Sequence, residues 1–140
     1  MQDEGVTAND EHPEITPEAD GDLERIRRNE TVLEAVQVSL GLIGPDVLGI
    51  AVESRSDGVT FHVALARRTA EADEDIEDMI ADYEARTLGY VPSEFTIDAA
   101  VTVEDTGPQW RGRRWSVIYL AHPSIRRAAT ASSATRPDAG

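Results

Sequence analysis

The sequence contains no cysteine and no lysine. The first absence removes disulfides, thiolate catalysis and cysteine-ligated zinc or iron–sulfur sites. The second leaves arginine as the only strong cation. All 13 basic residues are Arg, against 27 Asp and Glu, for a formal net charge of −14 over 140 residues. Aromatic residues are scarce, and no apolar run approaches the ~20 residues that a membrane-spanning helix requires. Met1 to Gly5 lacks the basic and apolar regions of a secretion signal, so the cytoplasm is the expected location. Phosphate contacts need clustered cations, which makes free nucleic acid and anionic membrane surfaces poor ligands for so acidic a chain. A basic protein partner suits it. A GC-rich coding background, in which arginine codons displace lysine codons, also accounts for the composition, as does solubility in high salt.

Residues 1–21 are polar, acidic and interrupted by Pro13 and Pro17, and too little apolar surface is available there to offset ordering entropy. Residues 126–140 are rich in Ala, Ser and Thr. Both are expected to be tails around one domain at 22–125. Within it, Ile26, Leu33, Val36, Leu40 and Ile43 fall on one helical face, and Thr31 to Glu34 has capping-box spacing. Gly44-Pro45 is the expected stop. The run from Val47 to Glu53 and the alternation of Val59, Phe61, Val63 and Leu65 read as strands, joined through Asp57-Gly58 into a hairpin. Ile76, Met79, Ile80 and Tyr83 make the stripe of a second helix, with Gly89 as its stop. Phe95 to Val103 and Trp115 to Leu120 alternate again and predict a second hairpin. The expected fold is α+β with the order α-β-β-α-β-β: a two-layer, four-stranded, mainly antiparallel sheet with two helices on one face.

Motifs that would identify an enzyme are missing. No Gly-x-Ser-x-Gly elbow, phosphate-binding loop or dinucleotide fingerprint occurs, so the expectation is a non-enzymatic protein without cofactor or metal. Of the three histidines, His62 is expected to point away from the Val59/Phe61/Val63 face, as a surface residue. A His62–His122 metal pair has no supporting spacing. The acidic segment from Glu71 to Glu84 lacks the glycine and alternating oxygen ligands of a calcium loop. Its carboxylates form either a solvated face or a surface that steers a basic protein. The candidate partner-binding residues are Glu71, Glu74, Asp75, Asp78 and Asp82. Trp110 joins them as an interface anchor, provided that its ring is exposed. Arg111, Arg113 and Arg114 lie beside Trp110 and Trp115, where pairing with the acidic helix or packing of Arg on Trp is expected.

The run Leu40 to Leu48, the Asp57-Gly58 turn and the segment from Thr69 to Glu84 together resemble a group of small bacterial α-β-β-α-β-β proteins. Some of these are described as immunity-like, meaning cognate inhibitors of bacterial toxins. The likeness covers roughly residues 31–121, while the loop at 107–114 and both tails are additions. It implies an acidic inhibitor of a basic toxin, such as a nuclease. The alternative is a structural or adaptor subunit, with a homodimer formed through the open sheet face.

Overall fold

The computed structural model describes residues 17–124, with side chains from residue 21 onward. The expected tails therefore lie mostly outside the described residues. Two helices, α1 (Pro17–Ser39) and α2 (Ala70–Thr87), accompany four strands: β1 (Val47–Arg55), β2 (Gly58–Leu65), β3 (Thr96–Val103) and β4 (Ser116–Leu120). A 3-10 turn at Arg111–Arg114 precedes β4. The class is α+β, as expected.

The sheet is mixed, not mainly antiparallel. Its order is β3-β2-β1-β4. The β1–β2 hairpin forms antiparallel with Val52 opposite Phe61, as the alternation implies. The second hairpin does not form. β3 runs parallel to β2, with Val63 beside Val101, and β4 pairs antiparallel with β1. The two late strands thus occupy opposite edges. The physical reason lies in the connections: α2 serves as the crossover that a parallel pair requires. The residues from Glu104 to Trp115 are too many for a tight turn, and they carry the chain back across the sheet.

Ile50, Val52, Val59, Phe61, Val63 and Leu65 form one cluster with Ala35 and Val38 of α1 and Ala72, Ile76, Met79 and Tyr83 of α2. Phe61 meets Tyr83 edge-on, with ring centroids 5.5 Å apart. The stripe read for α2 is the buried one, apart from half-buried Ile80. Thr69 caps this helix, its hydroxyl accepting from the Ala72 amide at 3.0 Å.

α1 departs from its expected face. Leu33 and Leu40 are 65% and 64% exposed and Ile26 is 52% exposed, whereas Ala35, Val38 and Ser39 are buried. Small residues let the helix approach the sheet closely, and the larger ones are left outside. Thr31 is not a cap either, because its hydroxyl donates to the Arg27 carbonyl within the helix. The helix stops at Ser39, before Gly41 at φ +83°, rather than at Gly44-Pro45.

Candidate functional site

The acidic helix begins two residues after Arg68, and its carboxylates divide into two sets. Asp73 accepts from Arg68 at 2.8 Å, and Glu34 of α1 receives Arg86 from the end of α2. Glu71, Glu74, Glu77, Asp78, Asp82 and Glu84 are exposed, and none has an ion pair among the described residues. Asp75 is only half-buried, with a carboxylate oxygen beside Gly44. Between α2 and β3 runs an open groove of about 420 Å³ with Ile76, Ile80, Ala99 and Val101 in its floor and Glu77 and Glu84 at its side. Those two glutamates were visible as part of the acidic run. Their place beside a groove follows only from β3 lying next to β2, which the expected hairpin would not have provided.

Trp110 does not join this surface. Its ring is 3% exposed and belongs to a second cluster with Leu48, Ala51, Ala64 and Ala121. A side chain buried to that extent cannot anchor a partner, so its place among the candidate binding residues is withdrawn. The sheet face opposite Phe61, expected to be open, is covered there by the connection from Glu104 to Trp115. Gly49 makes this possible. A Cβ on Gly49 would lie 2.7 Å from the Thr106 methyl and 3.0 Å from the Trp110 ring. Arg113 fastens the loop, donating to the Thr106 carbonyl at 2.6 Å and to the Gly107 carbonyl at 3.2 Å. It bonds the loop itself rather than the acidic helix.

His62 is also not a surface residue. It points away from Phe61 as the alternation requires, yet is only 8% exposed. Its Nε2 lies 2.8 Å from Glu53 Oε1. A carboxylate can only accept, so Nε2 carries a proton and donates it to Glu53. The imidazole stacks on Trp115 at 5.8 Å between centroids and 12° between planes. Glu53 also lies 3.7 Å from Arg55, which donates to Thr60 at 2.6 Å, and Thr60 donates to Asp98 at 2.8 Å. This polar row runs across three strands. His122 instead bonds Ser124, 2.9 Å from its Nδ1, and no group of three or more metal-ligating side chains occurs among the described residues.

A third surface lies beside α1, where a groove of about 970 Å³ is bounded by Leu33, Arg55, Tyr83, Arg86, Tyr90 and Phe95, among others. Burial raises the Tyr83 phenol above its usual range. A hydrogen bond with Thr31 partly opposes the shift, and the nearby Glu34 charge adds to it. No helix among the described residues is long and apolar enough to cross a membrane. No family model matches the chain, and no curated protein matches its sequence.

Proposed function

We propose that the protein is a non-enzymatic binding module that engages a basic protein through α2. The observation that carries this reading is the pairing of unneutralised carboxylates with apolar side chains in one groove, whose one cation among the described residues, Arg68, is already paired with Asp73. Glu77 and Glu84 stand beside Ile76, Ile80, Ala99 and Val101. An arginine or lysine fits such a surface with its stem on the apolar floor and its head at the carboxylates. Carboxylates of one sign also accelerate encounter with a cationic surface and disfavour anionic competitors. The arrangement includes both helices on one face of the sheet, a reading supported by their shared cluster. The resemblance to immunity-like proteins makes the partner a basic toxin, a nuclease being one example, and the setting cytoplasmic.

The test compares the wild-type protein with a variant carrying Glu77→Gln, Asp78→Asn and Glu84→Gln. These changes remove charge and keep shape. Partners captured from the native host lysate at low and moderate salt are identified, then assayed purified for nuclease activity. A basic protein that is inhibited by the wild type and bound more slowly, with a flatter salt response, by the variant is the expected result. Equal binding and inhibition by the variant would leave this face a solubility surface.

A second reading, an adaptor that forms homodimers, is favoured by α1. Ile26, Leu33 and Leu40 recur at seven-residue intervals, Leu23 precedes Ile26 by three, and all are at least half exposed. Two such seams bury each other when the helices pair. Light scattering on the eluting protein should show a dimer that Ile26→Ser with Leu33→Ser converts to monomer. A wild-type monomer at high concentration removes this reading.

A further inference from the structure

The sheet face opposite the two-helix cluster contains a cavity of about 170 Å³ lined by His62, Ala100, Thr102, Glu104, Trp110 and Arg111. Its volume is that of about six water molecules at ~30 Å³ each, which suits a small metabolite and not a peptide. Three features distinguish it from a packing defect. His62 is more than nine-tenths buried, its Nε2 is held by Glu53, and its Nδ1 has no hydrogen-bond partner among the described residues. The imidazole is fixed by Glu53 at Nε2 and by stacking on Trp115, while Nδ1 keeps access from outside the fold. Glu104 and Arg111 carry opposite charges on the same cavity, yet they form no ion pair with each other. Glu104 is held by the Thr102 hydroxyl, which donates to its Oε2 at 2.6 Å. Arg111 has no hydrogen-bond or ion-pair partner among the described residues, so its fork of donors is open.

We propose that this cavity binds a small zwitterion of the α-amino acid class. The separated charges match the two ends of such a molecule. Arg111 takes the carboxylate, for which its planar fork is suited. Glu104 takes the ammonium, and in the neutral imidazole, whose Nε2 donates to Glu53, His62 Nδ1 is a second acceptor for that group. The Trp110 ring supplies an apolar wall, and Ala100 leaves the room. A simple anion would leave Glu104 unmatched beside it, and a simple cation would leave Arg111 so. This site is independent of the acidic helix, and the charge variant of α2 should leave it intact.

Both tryptophans of the chain border His62 or the cavity, so their fluorescence reports directly on it. The full-length protein is titrated with glycine, L-alanine and L-threonine to about 10 mM, a range that detects millimolar affinity. N-acetylglycine and glycinamide, each lacking one charge, serve as matched controls. The expected result is a saturable change with at least one amino acid. Binding should weaken about tenfold or more in the controls and in the Glu104→Gln and Arg111→Gln variants. Ala100→Leu, which fills the cavity without altering charge, should abolish binding while circular dichroism stays native. Absence of saturation with all three amino acids overturns the proposal. So does binding that survives both charge variants, because contact elsewhere on the surface would then explain it.

Discussion

The two faces of the sheet are covered by different means. On one, Phe61, Val63 and Leu65 pack with Ala35 and Val38 of α1 and with Ile76, Met79 and Tyr83 of α2, a contact set that is almost wholly apolar. On the other, a loop carries Trp110 and Thr106 over Gly49, Ala51 and Ala64, and beside it runs a polar row of hydrogen bonds and one ion pair through His62, Glu53, Arg55, Thr60 and Asp98. Apolar burial is what drives folding. A polar row contributes little net stability per bond and holds side chains in fixed positions. The first face is therefore expected to hold the domain together, and the second to position chemistry.

The comparison breaks most directly by truncating the central ring on each side. Phe61→Ala removes a fully buried ring from the cluster it shares with both helices and should cost about 4 kcal/mol, within the usual span for such truncations. Trp110→Ala removes the larger side chain, but a loop can settle into the space more readily than a sheet flanked by helices. Its cost should be about 2–3 kcal/mol. Urea unfolding followed by far-ultraviolet dichroism measures both. If Trp110→Ala proves as damaging as Phe61→Ala, the loop is as much a part of the core as the helices.

A smaller effect is expected at Gly49. Adding one methyl there drives it against the Thr106 methyl and the Trp110 ring. Gly49→Ala should cost about 1–2 kcal/mol through overpacking. It should also alter Trp110 emission, because the loop must lift. Unchanged emission with unchanged stability would show that the loop is loosely seated.

The same contrast explains what could be read from the sequence. The α2 stripe and the β1–β2 hairpin were legible because period and burial agree: Ile76, Met79 and Tyr83 are large, regularly spaced and buried. On α1 the period was visible but pointed the wrong way. Hydropathy ranks Leu33 above Ala35, yet close approach to the sheet selected Ala35 and Val38. The partners of β3 and β4 are non-local, and alternation within a strand does not say which neighbour it pairs with. A register irregularity on β4 then places Val117 opposite Ala51 and Tyr119 opposite Ile50. Alternation alone would have put Val117 and Tyr119 on one face. Of the candidate site, the exposed carboxylates of α2 were legible from charge. The buried state of His62 was not, because it depends on Glu53 from another strand and on a loop reached more than 40 residues later.

The smallest effect distinguishes the edge of the apolar cluster from its centre. Tyr83 is buried beside Phe61, and desolvation raises its phenol above the value it has in the unfolded chain. The folded state then holds this proton at a pH where the unfolded state has released it. The resulting stabilisation is fully present below the ordinary phenol range near 10. It is lost as pH rises from there through the folded value, at no more than about 1.4 kcal/mol per pH unit. Absorbance at the tyrosinate band should show a late ionisation from Tyr83. Tyr83→Phe should remove the late step and flatten the alkaline loss of stability while leaving neutral stability within about 1 kcal/mol, the scale of one hydrogen bond. A late step that persists in Tyr83→Phe would show that it does not belong to Tyr83, and the desolvation argued for this phenol would be wrong.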